Sequence, residues 1–192
     1  GADDSYSSDP TRCGLPINPL LSESSYGCKI LCQPNMSYEM RKIKRYTEWQ
    51  SMPYKEKSHY DEFKRITLMA QNAGLSKMIV DTALRYHKTI SEQKTFRGLN
   101  RDGLIAASVY ISCKVNNNPR TSKEIAAIFH LDNTSATRGC KNATSILNSI
   151  EADMDNKDKT ILCVTDSTSF IDRYCSRIGM PHDMMKLCMF IA

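Results

Sequence analysis

Between Leu104 and Cys113 the chain places Leu104, Ile105, Ala106, Ala107, Val109, Tyr110, Ile111 and Cys113 so densely that a helix built from them is apolar almost all the way round. That is the pattern of a helix buried at the centre of a bundle. The polar run Asn116 to Asn118 and then Pro119 end it, and Thr121, followed three residues later by Glu124, reads as a capping box. A short helix therefore starts at Ser122 and buries Ile125, Ile128 and Phe129. After a turn at Leu131 to Thr134, a longer helix turns Ala136, Cys140, Ala143, Ile146, Leu147 and Ile150 inward. Two helices joined by a tight polar turn have the outline of a helix-turn-helix, although most such pairs in all-α proteins are packing units.

Upstream, Tyr60, Phe63, Ile66, Ala70 and Ala73 recur at helical spacing from a start signature at Ser58 and Asp61 to a stop at Gly74. Ser76 opens the next helix, with Ile79, Val80, Ala83, Leu84, His87 and Ile90 on its inner face. His87 stands alone on that stripe, with no Cys, Ser or carboxylate spaced to work with it, and reads as a core residue. Helices over 58–74, 76–94, 100–115, 122–130 and 135–150 make a compact bundle with short connections. A shift of 105 residues then aligns Ile66 with Ile171, Ala70 with Cys175, Gly74 with Gly179, Leu75 with Met180, Val80 with Met185 and Ala83 with Cys188. The pattern is an internal repeat, and since its second copy stops at Ala192 the chain reads as a fragment.

Before the bundle, residues 1–34 are broken by Pro10, Pro16, Pro19 and Pro34 and by Gly14 and Gly27, which predicts an arm that is extended or borrows its order from a partner. Its aliphatics Leu15, Ile17, Leu20 and Leu21 are too many for a free tail and predict docking. Residues 35–57 form a linker in which Tyr38 to Gln50 predicts a basic helix, with Met40, Ile43, Tyr46 and Trp49 near one side. Ser51-Met52-Pro53 breaks it.

The chain has 192 residues, 41% of them hydrophobic, and a net charge of +5. No apolar run is long enough to span a bilayer and the acidic start is no signal peptide, so the expectation is a soluble intracellular protein. Of the cysteines, Cys113, Cys140, Cys175 and Cys188 fall on apolar faces as small hydrophobes. Cys28 and Cys32 are the one close pair, but neither Cys13 nor a histidine completes a zinc knuckle. Charge is unevenly placed: residues 1–28 carry Asp3, Asp4, Asp9 and Glu23 against Arg12 alone, whereas Arg41, Lys42, Lys44 and Arg45 cluster farther along. Such a cluster is a solvated helix face or a segment lying along nucleic acid or an acidic groove. There is no phosphate loop, HExxH, nucleophile elbow or carboxylate pair around a histidine, and no catalytic role is expected.

Several blocks in order carry a resemblance: Asp9-Pro10-Thr11-Arg12-Cys13-Gly14 with Asn18-Pro19-Leu20-Leu21-Ser22; Phe63-Lys64-Arg65-Ile66 with Leu75 and Ile79-Val80-Asp81; Glu92-Gln93-Lys94, Arg97-Gly98, Ala106-Ala107, Tyr110-Ile111 and Cys113; Pro119 to Ile125; and Phe170 to Ser176. From about Asp9 to Ala192 the chain resembles transcription factor IIB. The resemblance implies an all-α fold: a cyclin-like five-helix repeat over 58–152, a linker over 153–165, and the start of a second, truncated repeat over 166–192. The extended arm and basic linker helix precede them.

It implies an initiation factor that bridges promoter DNA, the TATA-binding protein and a multisubunit RNA polymerase, and that assists DNA opening and start-site selection. In that scheme Asp9, Pro10, Thr11, Arg12, Asn18, Pro19, Leu20 and Leu21 form a reader near the template strand, Arg41, Lys42, Lys44 and Arg45 a basic linker, and Arg97, Gly98, Arg101, Arg138 and Lys141 the DNA contacts. No metal or other cofactor is expected in this chain; zinc belongs to an N-terminal ribbon that precedes the matching region. Asn133, Thr134 and Leu99 stand where basic residues are expected, which weakens the implied DNA contact. The composition also suits a homologue from a large DNA virus, so the implied location is the nucleus for a cellular protein and a cytoplasmic factory or virion for a viral one. The alternative is a cyclin-type regulatory subunit of a protein kinase, which uses the same five-helix unit.

Overall fold

The structure, a computed structural model, describes residues 18–21, 30, 35–50, 52–152, 160, 162 and 165–192. Among the described residues there are eight helices and no strand: α1 (Tyr38–Gln50), α2 (Tyr54–Asn72), α3 (Lys77–Gln93), α4 (Leu99–Val115), α5 (Ser122–Phe129), α6 (Asn133–Ile150), α7 (Thr168–Arg177) and α8 (His182–Ile191). The expected all-α class holds. The chain divides into two units at Lys64 and Arg65, inside α2.

In the first unit, α1 buries none of its residues. Its aromatic side is held together locally: Tyr46 and Trp49 meet edge to face at 5.7 Å, and the Lys42 ammonium lies 5.9 Å from the centre of the Tyr46 ring. The start of α2 corrects the sequence reading. Ser58 and Asp61 do not cap it; the helix already runs from Tyr54, and the Lys57 N–H donates to the Pro53 carbonyl. A proline has no N–H to lose and its φ is fixed near the helical value, so it starts a helix as readily as it stops the one before.

The second unit is built around α4. One cluster of buried residues, with Ile66, Ala70, Ile79, Val80, Ala83, Ile125 and Phe129, covers Ile105, Ala106, Val109 and Cys113; another, with Ile90, Cys140, Ala143 and Leu147, covers Leu104, Ala107 and Ile111. Two cores on different sides of one helix explain why its sequence shows no polar face. Its buried hydroxyls are satisfied within the protein, Ser108 Oγ donating to Leu104 O and Ser112 Oγ to Ile79 O, as burial requires. His87 is fully buried, in keeping with a core role, but it does not stand alone as expected: its Nδ1 lies 3.3 Å from Ser108 Oγ and its Nε2 3.5 Å from Ser91 Oγ, four residues on.

α4 and α6 cross at close range. A Cβ built on Gly139 would lie 2.2 Å from the Gly103 carbonyl oxygen, so two glycines let the backbones touch. α6 also starts at Asn133, capped by Asp132, and not at residue 135 as the sequence suggested.

The internal repeat recurs as hydrogen bonds. At the end of α2 the Leu75 N–H donates to Ala70 O (3.0 Å) and Gly74 N–H to Gln71 O; at the end of α7 Met180 N–H donates to Cys175 O (2.9 Å) and Gly179 N–H to Ser176 O. Gly74 and Gly179 both have positive φ, +71° and +67°, the left-handed stop that glycine adopts most easily. Burial is not repeated to the same degree: Ile79 is buried, whereas Met184 is half exposed. No helix of the described residues is long and apolar enough to cross a membrane.

Candidate nucleic-acid interface

α5 and α6 form the helix-turn-helix outline, and their ends are fixed by local chemistry. Thr121 Oγ1 accepts from the Glu124 N–H (3.2 Å) while the Glu124 carboxylate accepts from the Thr121 N–H (2.8 Å), a complete capping box. At the other end His130 takes a left-handed conformation (φ +54°) and closes α5. The Asp132 carboxylate accepts from the Ser135 N–H (2.8 Å) and from Thr134 Oγ1, and these hydrogen bonds hold its carboxyl well below the usual carboxylate range. The positive N-terminal end of α6 is thus already met by a carboxylate. A phosphate would have to compete with it.

The expected DNA-contacting residues are spread around the α4–α6 crossing. Arg97 and Gly98 are exposed at the entry to α4, where Gly98 (φ +57°) is the N-cap; Arg101 is half-buried one turn inside. Arg138 is exposed and adjoins Gly139, at the point where α6 touches Gly103. Asp102, on the same turn of α4, is paired with Arg65. Lys141 lies at a cleft of about 520 Å³ lined by Tyr110, Ser122, Thr137, Cys140 and Thr144, with the Lys114 ammonium 5.3 Å from the Tyr110 ring centre. Hydroxyls and lysines are the side chains that position a nucleic-acid backbone without reading its sequence. Ser122, Thr137, Thr144 and Lys114 are not among the DNA contacts the sequence suggested, because isolated hydroxyls have no spacing signature for such a role.

A second polar site, also missed, joins α7 to α5. Arg173 Nη2 donates to both Glu124 oxygens (2.7 and 2.9 Å), Nη1 donates to Pro119 O (2.9 Å), and Tyr174 Oη donates to Glu124 Oε1 (3.0 Å). Burial pushes the Glu124 carboxyl up, but the Thr121 N–H, the Tyr174 hydroxyl and the Arg173 charge outweigh it and hold the carboxyl below its ordinary value. Beside this pair opens a cleft of about 820 Å³ lined by Met69, Ala73, Ile128, Arg120, His130 and Arg177, among others. Forty-nine residues separate Glu124 from Arg173, so no local pattern announces the contact.

The remaining expected residues fall as follows. Asp9, Pro10, Thr11 and Arg12, with Cys13, Cys28 and Cys32, lie outside the described residues. Asn18, Pro19, Leu20 and Leu21 form a turn in which Asn18 Oδ1 accepts from the Leu20 N–H and Asn18 O from the Leu21 N–H, both at 3.0 Å. Leu21 is buried. The arm was expected to have no order of its own; here the asparagine side chain supplies a local turn. Arg41, Lys42 and Arg45 are exposed on α1, and Lys44 is half-buried and within 3.9 Å of Glu48. Cys113, Cys140 and Cys175 are buried and Cys188 partly so; burial pushes the Cys113 and Cys140 thiols up to about 11, so they stay protonated and unreactive.

Residues 55–143 match the family model described as a transcription factor TFIIB repeat. A transcription initiation factor IIB-like protein of Acanthamoeba polyphaga mimivirus is 32% identical over 204 residues, which cover 99% of this chain and 42% of that protein. Transcription initiation factor IIB of Oryza sativa subsp. japonica is 28% identical over 96% of this chain and 58% of its own length, and that of Homo sapiens 28% identical over 100% and 57%. The chain thus spans about half the length of these relatives.

Proposed function

We propose that this transcription factor IIB-like chain acts as a general transcription initiation factor bridging promoter DNA, the TATA-binding protein and a multisubunit RNA polymerase. The observation that carries the DNA part is the surface around the α4–α6 crossing, where Arg97, Arg138 and Lys141 are exposed and a hydroxyl-lined cleft adjoins Lys141. In this reading those cations meet phosphates and fix the register of the repeat on the duplex, while sequence choice is left to other parts of the assembly. The capped N-terminus of α6, with Asn133 and Thr134 beside Asp132, contributes little to that contact.

The arm residues Asp9 to Leu21 act as the reader that approaches the template strand, and α1 supplies a basic, aromatic-sided linker helix against the polymerase or the DNA. Residues 166–192 open a second repeat. No catalytic step is assigned to any residue. The site of action is the nucleus or, for a viral protein, the compartment where viral genes are transcribed.

The test is duplex affinity across a salt series. If Lys141 and Arg138 contact phosphates, Lys141→Glu and Arg138→Glu each weaken binding to unrelated duplexes alike and lower the salt slope by about one unit. An unchanged slope in both variants makes these residues ordinary solvated charges.

A further inference from the structure

We propose that Glu124, Arg173 and Tyr174 form a latch that seats α7 on the N-terminal end of α5, so that side-chain contacts, and not the connecting segment alone, set the orientation of the C-terminal helix pair. The reason lies first in what α7 lacks. Among its residues only Cys175 is buried, and in α8 only Met185. Apolar burial of that extent gives little hold, and the open cleft beside α7 shows that its packing against the α2 and α5 faces is incomplete. Segments with few buried apolar contacts open at low cost.

The polar contacts are correspondingly full. The Arg173 guanidinium spends one nitrogen on both Glu124 oxygens and another on the Pro119 carbonyl, and its carbon lies 5.3 Å from the centres of both the Phe170 and Tyr174 rings. The rings flank the guanidinium, and its planar fork reaches two acceptors at once, Nη2 the Glu124 carboxylate and Nη1 the Pro119 carbonyl. Both charged side chains are only 21% exposed, so solvent screens the pair less than a surface pair. Lysine offers the same charge without the planar fork and does not replace arginine here.

Glu124 serves two structures at once, since the carboxylate that closes the α5 capping box is also the acceptor of the latch. The start of α5 and the seat of α7 are therefore one unit. A partner surface that spans α5 and the C-terminal pair is preformed only while the latch is closed. The latch stands whatever the chain's partners are.

Hydrogen–deuterium exchange on the full chain tests it, using Arg173 and Tyr174 variants because they leave the capping box intact. Arg173→Ala should speed exchange of the amides of residues 168–177 by about tenfold or more, the loss expected for hydrogen bonds to a charged group. Arg173→Lys should fall between Ala and wild type, and Tyr174→Phe should speed the same amides several-fold, with residues 104–113 of α4 unchanged in every case. The proposal is overturned if α7 exchanges in Arg173→Ala as it does in wild type, or if Arg173→Lys is as protected as wild type. If Arg173→Ala speeds α4 as well, Tyr174→Phe decides: faster exchange confined to α7 supports the latch, and no change overturns it.

Discussion

At Gly139 the demand on a single residue is steric. A methyl group there would sit 2.2 Å from the Gly103 carbonyl oxygen, which is backbone and has nowhere to go. Alanine favours a helix interior by about 1 kcal/mol over glycine, but separating α4 from α6 costs more, so Gly139→Ala should destabilise the fold by about 2 kcal/mol net. Gly74 is the contrasting case: a Cβ meets nothing within 4 Å, yet φ is +71°. Gly74→Ala should cost about 1 kcal/mol through the left-handed backbone alone. Denaturant midpoints of the two variants check the order, and a Gly139→Ala protein as stable as Gly74→Ala would contradict the close crossing.

Glu124 makes the corresponding electrostatic prediction. Its carboxyl is held below its ordinary value in the folded protein, so the stabilisation it brings is complete above the unfolded value and is lost as pH falls through the folded one. Unfolding free energy measured from neutral pH down to about 3 should fall less steeply in Glu124→Gln than in wild type on the acid side of the ordinary glutamate range. At neutral pH Glu124→Gln should be the less stable protein. Parallel curves would mean that the carboxylate is not engaged as described.

At the scale of elements, most helices can be read from the sequence because their apolar periodicity and their caps agree. The capping box at Thr121 and Glu124 is a local rule, and it is present as the spacing predicts. The dense apolar run of α4 was readable for a different reason: only a helix with a core on more than one side uses it, and two clusters meet it. Ala107→Phe follows from that position, since Ala107 is fully buried. It should lower stability by about 1–3 kcal/mol, and an unmoved denaturation midpoint would remove α4 from the centre.

What the sequence misled on were ends decided by one residue with two roles. Pro53 both ends α1's region and starts α2, and Asp132 caps α6 one turn before the apolar stripe makes the helix obvious. The α5–α7 contact was not readable at all. Arg173 and Glu124 are ordinary surface residue types, and only the fold makes them neighbours.

Over the whole chain, the conserved feature between the two halves of the repeat is the turn and not the packing. The hydrogen bonds that end α2 and start α3 recur at α7 and α8, while the second copy leaves Met184, Leu187, Phe190 and Ile191 largely exposed. Backbone turns are set by a few residues such as glycine, whereas burial needs every neighbouring helix, so the turn is what survives in a short stretch. The match to the transcription factor IIB repeat falls on the first copy, over residues 55–143.

Bridging of promoter DNA and the TATA-binding protein, as proposed, can be measured in a native gel of a TATA-containing duplex with TATA-binding protein from the same source. Adding the chain should produce a slower complex that requires both DNA and the TATA-binding protein, and Arg138→Glu with Lys141→Glu should weaken it most at low salt and by less as salt is raised. A chain that binds neither the protein–DNA complex nor the duplex at low salt would contradict the account.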